Sequence, residues 1–484
     1  MEQQNTDRNE DPGRKTSLSL RQIVILITLS GTYLLTEMIY GWSAVLPKLE
    51  EDTSKFVVTK DDVSWLASLT FMLVTILSPA AGILAERFGP RRVLVIAMFP
   101  VSGFWLLQAF SPYLWVLYLG RALIAASATV VLTVVNPLIA ELYPARIRGL
   151  ASVSPEILGC IGMLSSYLLA YFLSWDAATA VSAAPFVPLS FMLLLVPESP
   201  YWLVRKKKID AAERSLRLFL GRDGNVAEEL QAIRNTTTDQ QCEVKNQIKE
   251  LRKRHNVIPV TLMLILFMLR ELGGRGPVFS YTVYMFRKAG VQLDAFYCTV
   301  FVGVARLAST CVSACTLDLV GRKPLLVATV VICAVSEGVA GAFLFLEVEG
   351  AAWVPLAAVI VFVIGYGIGP GPILWVYLGE LLPTPVRAVG AAISTFGCFF
   401  TYFIVNIMFL KMLSFLGLGL TLLVFAGANL AIAPIVIFFI PETIGRTLQD
   451  MEKAFILKRE RQGQDNPTFE MDIISSNANR AHTL

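Results

Sequence analysis

ELYPARIR, residues 141–148, returns as ELLPTPVR at 380–387, and that repetition decides the fold. Two further pairs keep the same order. ERFGPRR (86–92) is echoed by DLVGRK (318–323), and PES (197–199) by PET (441–443). The offsets run from 232 to 244 residues, so the chain is written twice, once on each side of the basic loop 197–257. Parallel repeats of this kind surround a shared central site in many membrane transporters.

What repeats is a set of membrane spans. The chain has 484 residues, 55% of them hydrophobic and 16% charged, with a mean hydropathy of +0.61. A soluble domain would carry about 25% charged residues. Twelve apolar segments are long enough to cross a bilayer core, at roughly 21–46, 62–84, 93–110, 113–139, 149–173, 178–196, 258–286, 296–317, 324–347, 352–379, 388–412 and 416–440. The expected fold is therefore an all-α membrane protein of twelve transmembrane helices in two six-helix halves. Its predicted parts are an N-terminal segment (1–20), a first bundle (21–196), the loop 197–257, a second bundle (258–440) and a tail (441–484).

The first twenty residues are polar and the first apolar run is too long for a cleavable signal, so none is expected. With the N-terminus inside, cytoplasmic segments hold 31 of the 41 Lys and Arg. That bias predicts a multi-pass cell-membrane protein with both termini cytoplasmic. The net charge of +4 then reports topology and gives no sign of nucleic-acid binding. Six of the seven Cys lie in or beside spans without a ligand-like cluster, so neither disulfides nor a metal is expected. The two His, His255 and His482, lie outside the spans, which leaves no histidine relay. No cofactor is predicted. The sequon Asn235-Thr236-Thr237 falls in the cytoplasmic loop and should stay unglycosylated.

The motifs GILAERFGPRR (82–92), GR (120–121), ELYPARIRG (141–149), PESPYWL (197–203), GPGPILW (369–375), GELLPTPVR (379–387) and PETIGRTLQDME (441–452) together resemble the sugar porter family of the major facilitator superfamily. Within it the chain looks most similar to the facilitated trehalose transporter branch. The resemblance implies the major facilitator fold, with a small helical bundle in the loop 197–257. Ile209, Ala212, Leu216 and Phe219 stand there at helical spacing. It also implies a cytoplasmic latch made by Glu86, Arg87, Arg91, Glu141, Arg148, Asp318, Arg322, Glu380 and Arg387. Without the family these charges would read as anchors of helix ends under the positive-inside rule. Gly89 and Gly321 suit the tight turns between spans, where a Cβ would obstruct. Pro90 stands where the motif usually carries a basic residue, which weakens the latch expected of the first half.

Charges inside the spans locate the function. Glu37, Glu156, Glu271 and Glu337 face Arg121, Arg270, Arg275 and Arg306, four acids against four bases. Each unpaired Arg at midplane would cost about 2.5–3.5 kcal/mol, so these groups must be partnered or wet. Three of them fall in LRELGGRGPVFSY (269–281), where Gly273, Gly274, Gly276 and Pro277 invite a break. Broken helices at membrane depth line cavities, so the seventh span reads as a two-piece gating helix.

By resemblance, Arg270 and Glu271 occupy the glutamine positions of the family's sugar-binding motif, and Gly276 its asparagine position. Glu156 and Arg306 stand at sugar-contacting amide positions of spans five and eight. Cys398 and Phe399 replace an asparagine and a tryptophan of span eleven, while Trp375 is retained. An apolar pyranose face can lie on its indole, although an aromatic-belt role would also place a Trp there.

Guanidinium groups prefer carboxylate, phosphate and sulfate. One expectation is therefore an anionic substrate with a sugar face, a sulfated or carboxylated glycoside such as a plant-type glucosinolate. The alternative is that Arg270 and Arg306 pair with Glu156 and Glu271 around a neutral sugar such as glucose or trehalose.

Glu37 lies within one residue of the aspartate that proton-driven relatives use, and Arg121 at its arginine partner. Proton symport through that pair is expected, with facilitated uniport as the alternative reading. Glu337 is expected to be structural. A non-transporting solute sensor is the competing class. An enzyme is not expected, since no nucleophile–base pair, metal cluster or P-loop is visible. The predicted partners are a sugar or glycoside, protons and the lipid bilayer, for a monomer.

Overall fold

The structure, a computed structural model, describes residues 19–143, 145–220, 226–239, 250–251, 253–290, 293–347, 353–383 and 386–443. The first span is assembled from α1 (Leu20–Gly31), α2 (Tyr33–Trp42) and α3 (Leu46–Glu51). Ser19 and Gln22 close a capping box at its start, satisfying amides that have no partner within the helix. Thr59 and Asp62 do the same for α4 (Lys60–Phe88). The third span is α5 (Pro90–Met98) with α6 (Val101–Ala109), the fourth α7 (Leu114–Leu142), and the fifth α8 (Ala145–Phe172). The sixth joins α9 (Trp175–Val181) to α10 (Phe186–Met192).

Between the halves lie α11 (Pro200–Arg205), α12 (Ile209–Leu220) and α13 (Val226–Asp239). Ala212, Leu216 and Phe219 are buried as their spacing requires. Gln22 donates from its amide to the carbonyls of Leu218 and Phe219 at 3.0 and 3.1 Å, tying this loop to the first span.

The second half repeats the plan. The seventh span comprises α14 (Arg254–Leu272), α15 (Arg275–Ser280) and α16 (Thr282–Lys288). Next come α17 (Ala295–Val320), α18 (Arg322–Phe345), and α19 (Val354–Ile368) with α20 (Pro370–Glu380). α21 (Arg387–Phe415) and α22 (Gly417–Phe439) complete it. Among the described residues eleven spans are long and apolar enough to cross a membrane. The seventh in order is divided by two breaks, at Gly273–Gly274 and at Tyr281. Large apolar side chains such as Ile96, Phe172, Leu319 and Phe438 stay exposed, as suits a surface solvated by lipid.

The repeated motifs do the same work in both halves. Gly89 (φ +104°) and Gly321 (φ +98°) turn the chain between spans in a backbone region that side chains disfavour. Glu198, from PES, accepts from the Arg91 amide at 2.9 Å. Glu442, from PET, accepts from the Arg322 and Lys323 amides at 3.1 and 3.0 Å. Each carboxylate thus caps the helix that follows the turn, where backbone amides and the helix dipole favour an anion. Burial pushes the Glu198 carboxyl above its ordinary range, while the Arg91 and Ser199 amides and the Arg91 charge act in the opposite direction.

Candidate functional site

The break in the seventh span has a covalent cause. In a continuous helix the Gly273 carbonyl would accept from residue 277, and Pro277 has no N–H to give. Gly274 takes a left-handed conformation (φ +78°, ψ 6°) and restarts the helix as α15. Arg270 and Glu271 end α14, Arg275 begins α15, and all three charges converge.

Arg270 Nε and Nη2 donate to Glu271 Oε1 at 2.8 and 2.5 Å. Arg275 Nη1 lies 3.5 Å from both oxygens of the same carboxylate. Arg270 and Glu271 retain 2% and 0% exposure, so here attraction is barely screened and a lost partner would be costly. The Arg275 guanidinium sits over the rings of Tyr40, Tyr366 and Tyr402, 5.1–5.7 Å from their centroids. Tyr40 belongs to the first half and the other two to the second, so this cation is held between the halves.

A second ion pair crosses the molecule. Arg306 on α17 donates from Nη2 to Glu156 Oε1 on α8. The Arg306 guanidinium also lies 5.2 Å from the Tyr366 ring and 5.7 Å from Phe279. One turn along, Cys160 and Thr310 meet at 3.5 Å.

Of the other residues singled out in the sequence, Trp375 keeps 41% of its surface exposed. Its indole meets Phe267 at 5.0 Å and the Arg270 guanidinium at 5.5 Å. Cys398 is buried against the first ion pair, 3.2 Å from Arg270 Nη2 and 3.4 Å from Glu271 Oε1. Phe399 packs with Phe71 and with Tyr40 and Tyr402, two of the rings beneath Arg275. At Gly276 a Cβ would come within 3.0 Å of the Asn406 amide on α21.

Glu37 and Arg121 are not brought together; among the described residues no ion pair joins them. Arg121 instead donates to the Leu66 and Ile39 carbonyls at 3.2 and 3.0 Å and stacks on Trp42. Glu37 faces α8, where a Cβ on Gly159 would meet its side chain at 2.8 Å. The choice of partner follows rotation about the helix axis, about 100° per residue, and Glu37 is turned toward α8. Its charged neighbours are Glu156, Arg306 and Arg275.

The residues expected to form a latch are arranged differently in the two halves. Arg322 and Glu380 pair at 3.0 Å. In the first half Pro90 stands at the position of Arg322, so Glu141 has no equivalent partner and accepts instead from Ser199 Oγ. Glu86 pairs with Arg205 at 2.9 Å, Arg91 donates to the Leu194 carbonyl at 2.6 Å, and Arg87 lies over Phe88. The side chains of Arg148, Asp318 and Arg387 lie outside the described residues. At the opposite end the halves are joined by Arg287–Glu51 at 2.5 Å and by Tyr284 donating to Glu50 at 2.5 Å.

Sequence reasoning missed the tyrosines. Tyr40, Tyr366 and Tyr402 lie in apolar runs, and nothing in their spacing announces that they share one cation. It also missed Asn429 on α22, which donates to the Gly273 carbonyl at the span-seven break at 2.9 Å. The signal was Pro277, which guarantees an orphaned carbonyl.

The site therefore combines three acids (Glu37, Glu156, Glu271) and three guanidinium groups (Arg270, Arg275, Arg306) between two halves, with the exposed Trp375 indole beside Arg270. A sequence model of the family described as "Sugar (and other) transporter" matches residues 29–455. The chain is 28% identical over 423 residues to the facilitated trehalose transporter Tret1 of Drosophila virilis, covering 86% of this chain and 46% of that protein. It is also 28% identical over 425 residues to that of Polypedilum vanderplanki, covering 86% and 84%. The chain thus spans about half the length of the Drosophila relative. The inward open conformation of the Escherichia coli xylose transporter XylE superposes with a TM-score of 0.74, at 22% identity over 89% of this chain and 99% of that one. The proton:xylose symporter XylE bound to 6-bromo-6-deoxy-D-glucose gives 0.71 at 21% identity, with the same coverage. The fold is shared.

Proposed function

The chain belongs to the sugar (and other) transporter family, and from that premise we propose that it carries a neutral sugar across a cell membrane by alternating access, with proton linkage at Glu37. The observation behind this reading is the internal pairing of the buried charges. Arg270 and Arg275 share Glu271, and Arg306 holds Glu156. Each guanidinium group that could receive an anionic substrate already has a carboxylate partner, and opening a buried pair to receive one leaves a carboxylate stranded. What remains for a solute is the exposed Trp375 indole and the polar edges of the seam, a surface suited to an uncharged, hydroxyl-rich ring.

Glu37 is the seam's acid that no ion pair reaches among the described residues. With it ionised the seam holds three negative and three positive charges; a proton there leaves a net +1. Movement of the halves changes its distance from Arg306, and that change is the coupling step. Glu51–Arg287 and Glu50–Tyr284 form the external gate, and both termini lie in the cytoplasm. A second reading, the sulfated or carboxylated glycoside, draws on the Nη1 atoms of Arg270 and Arg306, which are buried without a hydrogen-bond partner.

Uptake in proteoliposomes separates the readings, with labelled trehalose, glucose, glucuronate and a sulfated glucoside tested between pH 5.5 and 7.5. Saturable uptake of a neutral sugar, faster at low external pH and flattened by Glu37→Gln, is expected. Preferential uptake of the anions would replace the neutral reading. PH-independent uptake unchanged by Glu37→Gln would leave a uniporter. Binding without counterflow would make the protein a sensor.

A further inference from the structure

Behind the broken seventh span, on the side formed by α18 and α22, lies a polar cluster that the proposed transport site does not use. Asn429 on α22 donates from Nδ2 to the Gly273 carbonyl at 2.9 Å. This is the carbonyl that Pro277 deprives of its helical partner. The same amide nitrogen donates its second hydrogen to Glu337 Oε2 on α18 at 2.8 Å. Asn429 and Glu337 are both 3% exposed. Glu337 Oε1 is buried without a hydrogen-bond partner and faces the hinge, since a Cβ on Gly274 would come within 3.1 Å of it.

An unsatisfied carbonyl at membrane depth costs several kcal/mol, so the break persists only because something outside the helix caps it. An amide does this only if its nitrogen, not its oxygen, points at the carbonyl. An acceptor on the other side of that nitrogen fixes the orientation, and Glu337 is that acceptor. Three helices thereby meet at one backbone atom of the hinge, two of them packed along each other and free of the proposed sugar site.

We propose that Asn429 and Glu337 are positioning residues that form the fixed bearing of the span-seven hinge. The amide caps Gly273, the carboxylate orients the amide, and Gly274 pivots against both. The pair touches no sugar. It sets how fast the gate interconverts and leaves the affinity of the site alone. This rests on the transport reading above only where flux is the readout.

The roles predict opposite outcomes for two near-isosteric changes. Glu337→Gln keeps an acceptor toward Asn429, so net uptake should stay within about twofold of the unaltered protein. Asn429→Asp offers at most one donor in place of two, so the Gly273 carbonyl and Glu337 can no longer both be bonded, and losing a buried hydrogen bond typically costs enough to change a rate about tenfold or more. Net uptake should fall by that factor, while sugar affinity, read by equilibrium binding of the labelled sugar, stays within about twofold. Should Asn429→Asp not be recovered monodisperse, Asn429→Ser, too short to bridge both acceptors, carries the same expectation.

Hydrogen exchange of the 269–281 segment is read in every variant and needs no transport. It should rise in the Asn429 variant and stay unchanged in Glu337→Gln. A folded Glu337→Gln protein that loses uptake or gains exchange would overturn the bearing. So would an Asn429 variant indistinguishable from the unaltered protein, or one that loses affinity in step with uptake. Failure of the unaltered protein to move sugar, with the exchange pattern as stated, would count against the transport reading alone.

Discussion

Glu271→Ala should be the most damaging single change in the protein. Removing one partner of a buried ion pair costs about 3–5 kcal/mol, because the other charge is left without compensation. Glu271 is a shared partner, so its loss strands both Arg270 and Arg275. Against a total stability of about 5–15 kcal/mol, the variant should be recovered in low yield with a melting temperature far below that of the unaltered protein. Glu271→Gln retains hydrogen-bond acceptance and should lie between the two. Thermal melting of detergent-purified protein checks this. A Glu271→Ala protein melting within a few degrees of the unaltered one would mean that water, not the carboxylate, compensates the two guanidinium groups.

Glu156 and Arg306 should show the second largest effect, and here coupling between them is the signature. Their bond joins α8 of the first half to α17 of the second. Glu156→Gln and Arg306→Gln should each lower sugar uptake by about thirtyfold or more. The double variant, which restores neutrality, should recover about tenfold relative to the worse single. Contacting residues in one network show interaction energies of about 0.5–3 kcal/mol, and tenfold corresponds to about 1.4 kcal/mol. Strict additivity would mean that the two charges act separately, with Arg306 free to serve an anion. The same cycle run with the sulfated glucoside tests that alternative directly.

The broad fold was legible because its causes are local. Length and apolarity identify spans, Lys and Arg counts set an expected orientation, and three echoes at offsets of 232 to 244 residues divide the chain in two. Gly89 and Gly321 could be assigned to turns from their motifs, and both have positive φ. The break at 272–275 could be read from its glycines and Pro277.

What stayed hidden depends on which way a helix is turned. A charge at a given position says that a partner is needed, but its choice depends on rotation and on which helices are neighbours. Glu37 was matched with Arg121 by position, yet it faces Gly159 on α8 while Arg121 clasps the Ile39 carbonyl. Glu271 and Arg275 could be paired from their spacing of four on one helix. The Glu156–Arg306 pair spans 150 residues, and sequence offered it only as one of two alternatives. Tyr366, which lies against both Arg275 and Arg306, carries no sequence signal at all. The same limit separates the two sets of residues expected to form a latch. Pro90 announced that the first would differ, but not that Glu141 would turn to Ser199.

The central claim is that two duplicated bundles enclose one chamber that opens at one end while it closes at the other. Pulsed electron–electron distances test it most directly, in protein lacking its seven native cysteines. One spin-label pair at Val57 and Leu293 spans the end closed by Glu51–Arg287. A second at Phe88 and Leu319 spans the end carrying Arg322–Glu380. All four positions are exposed, so labelling should leave the core intact. Adding a transported sugar or shifting the pH should lengthen one distance as the other shortens. Distances that change in the same direction, or that never change while sugar is being carried, would contradict the account.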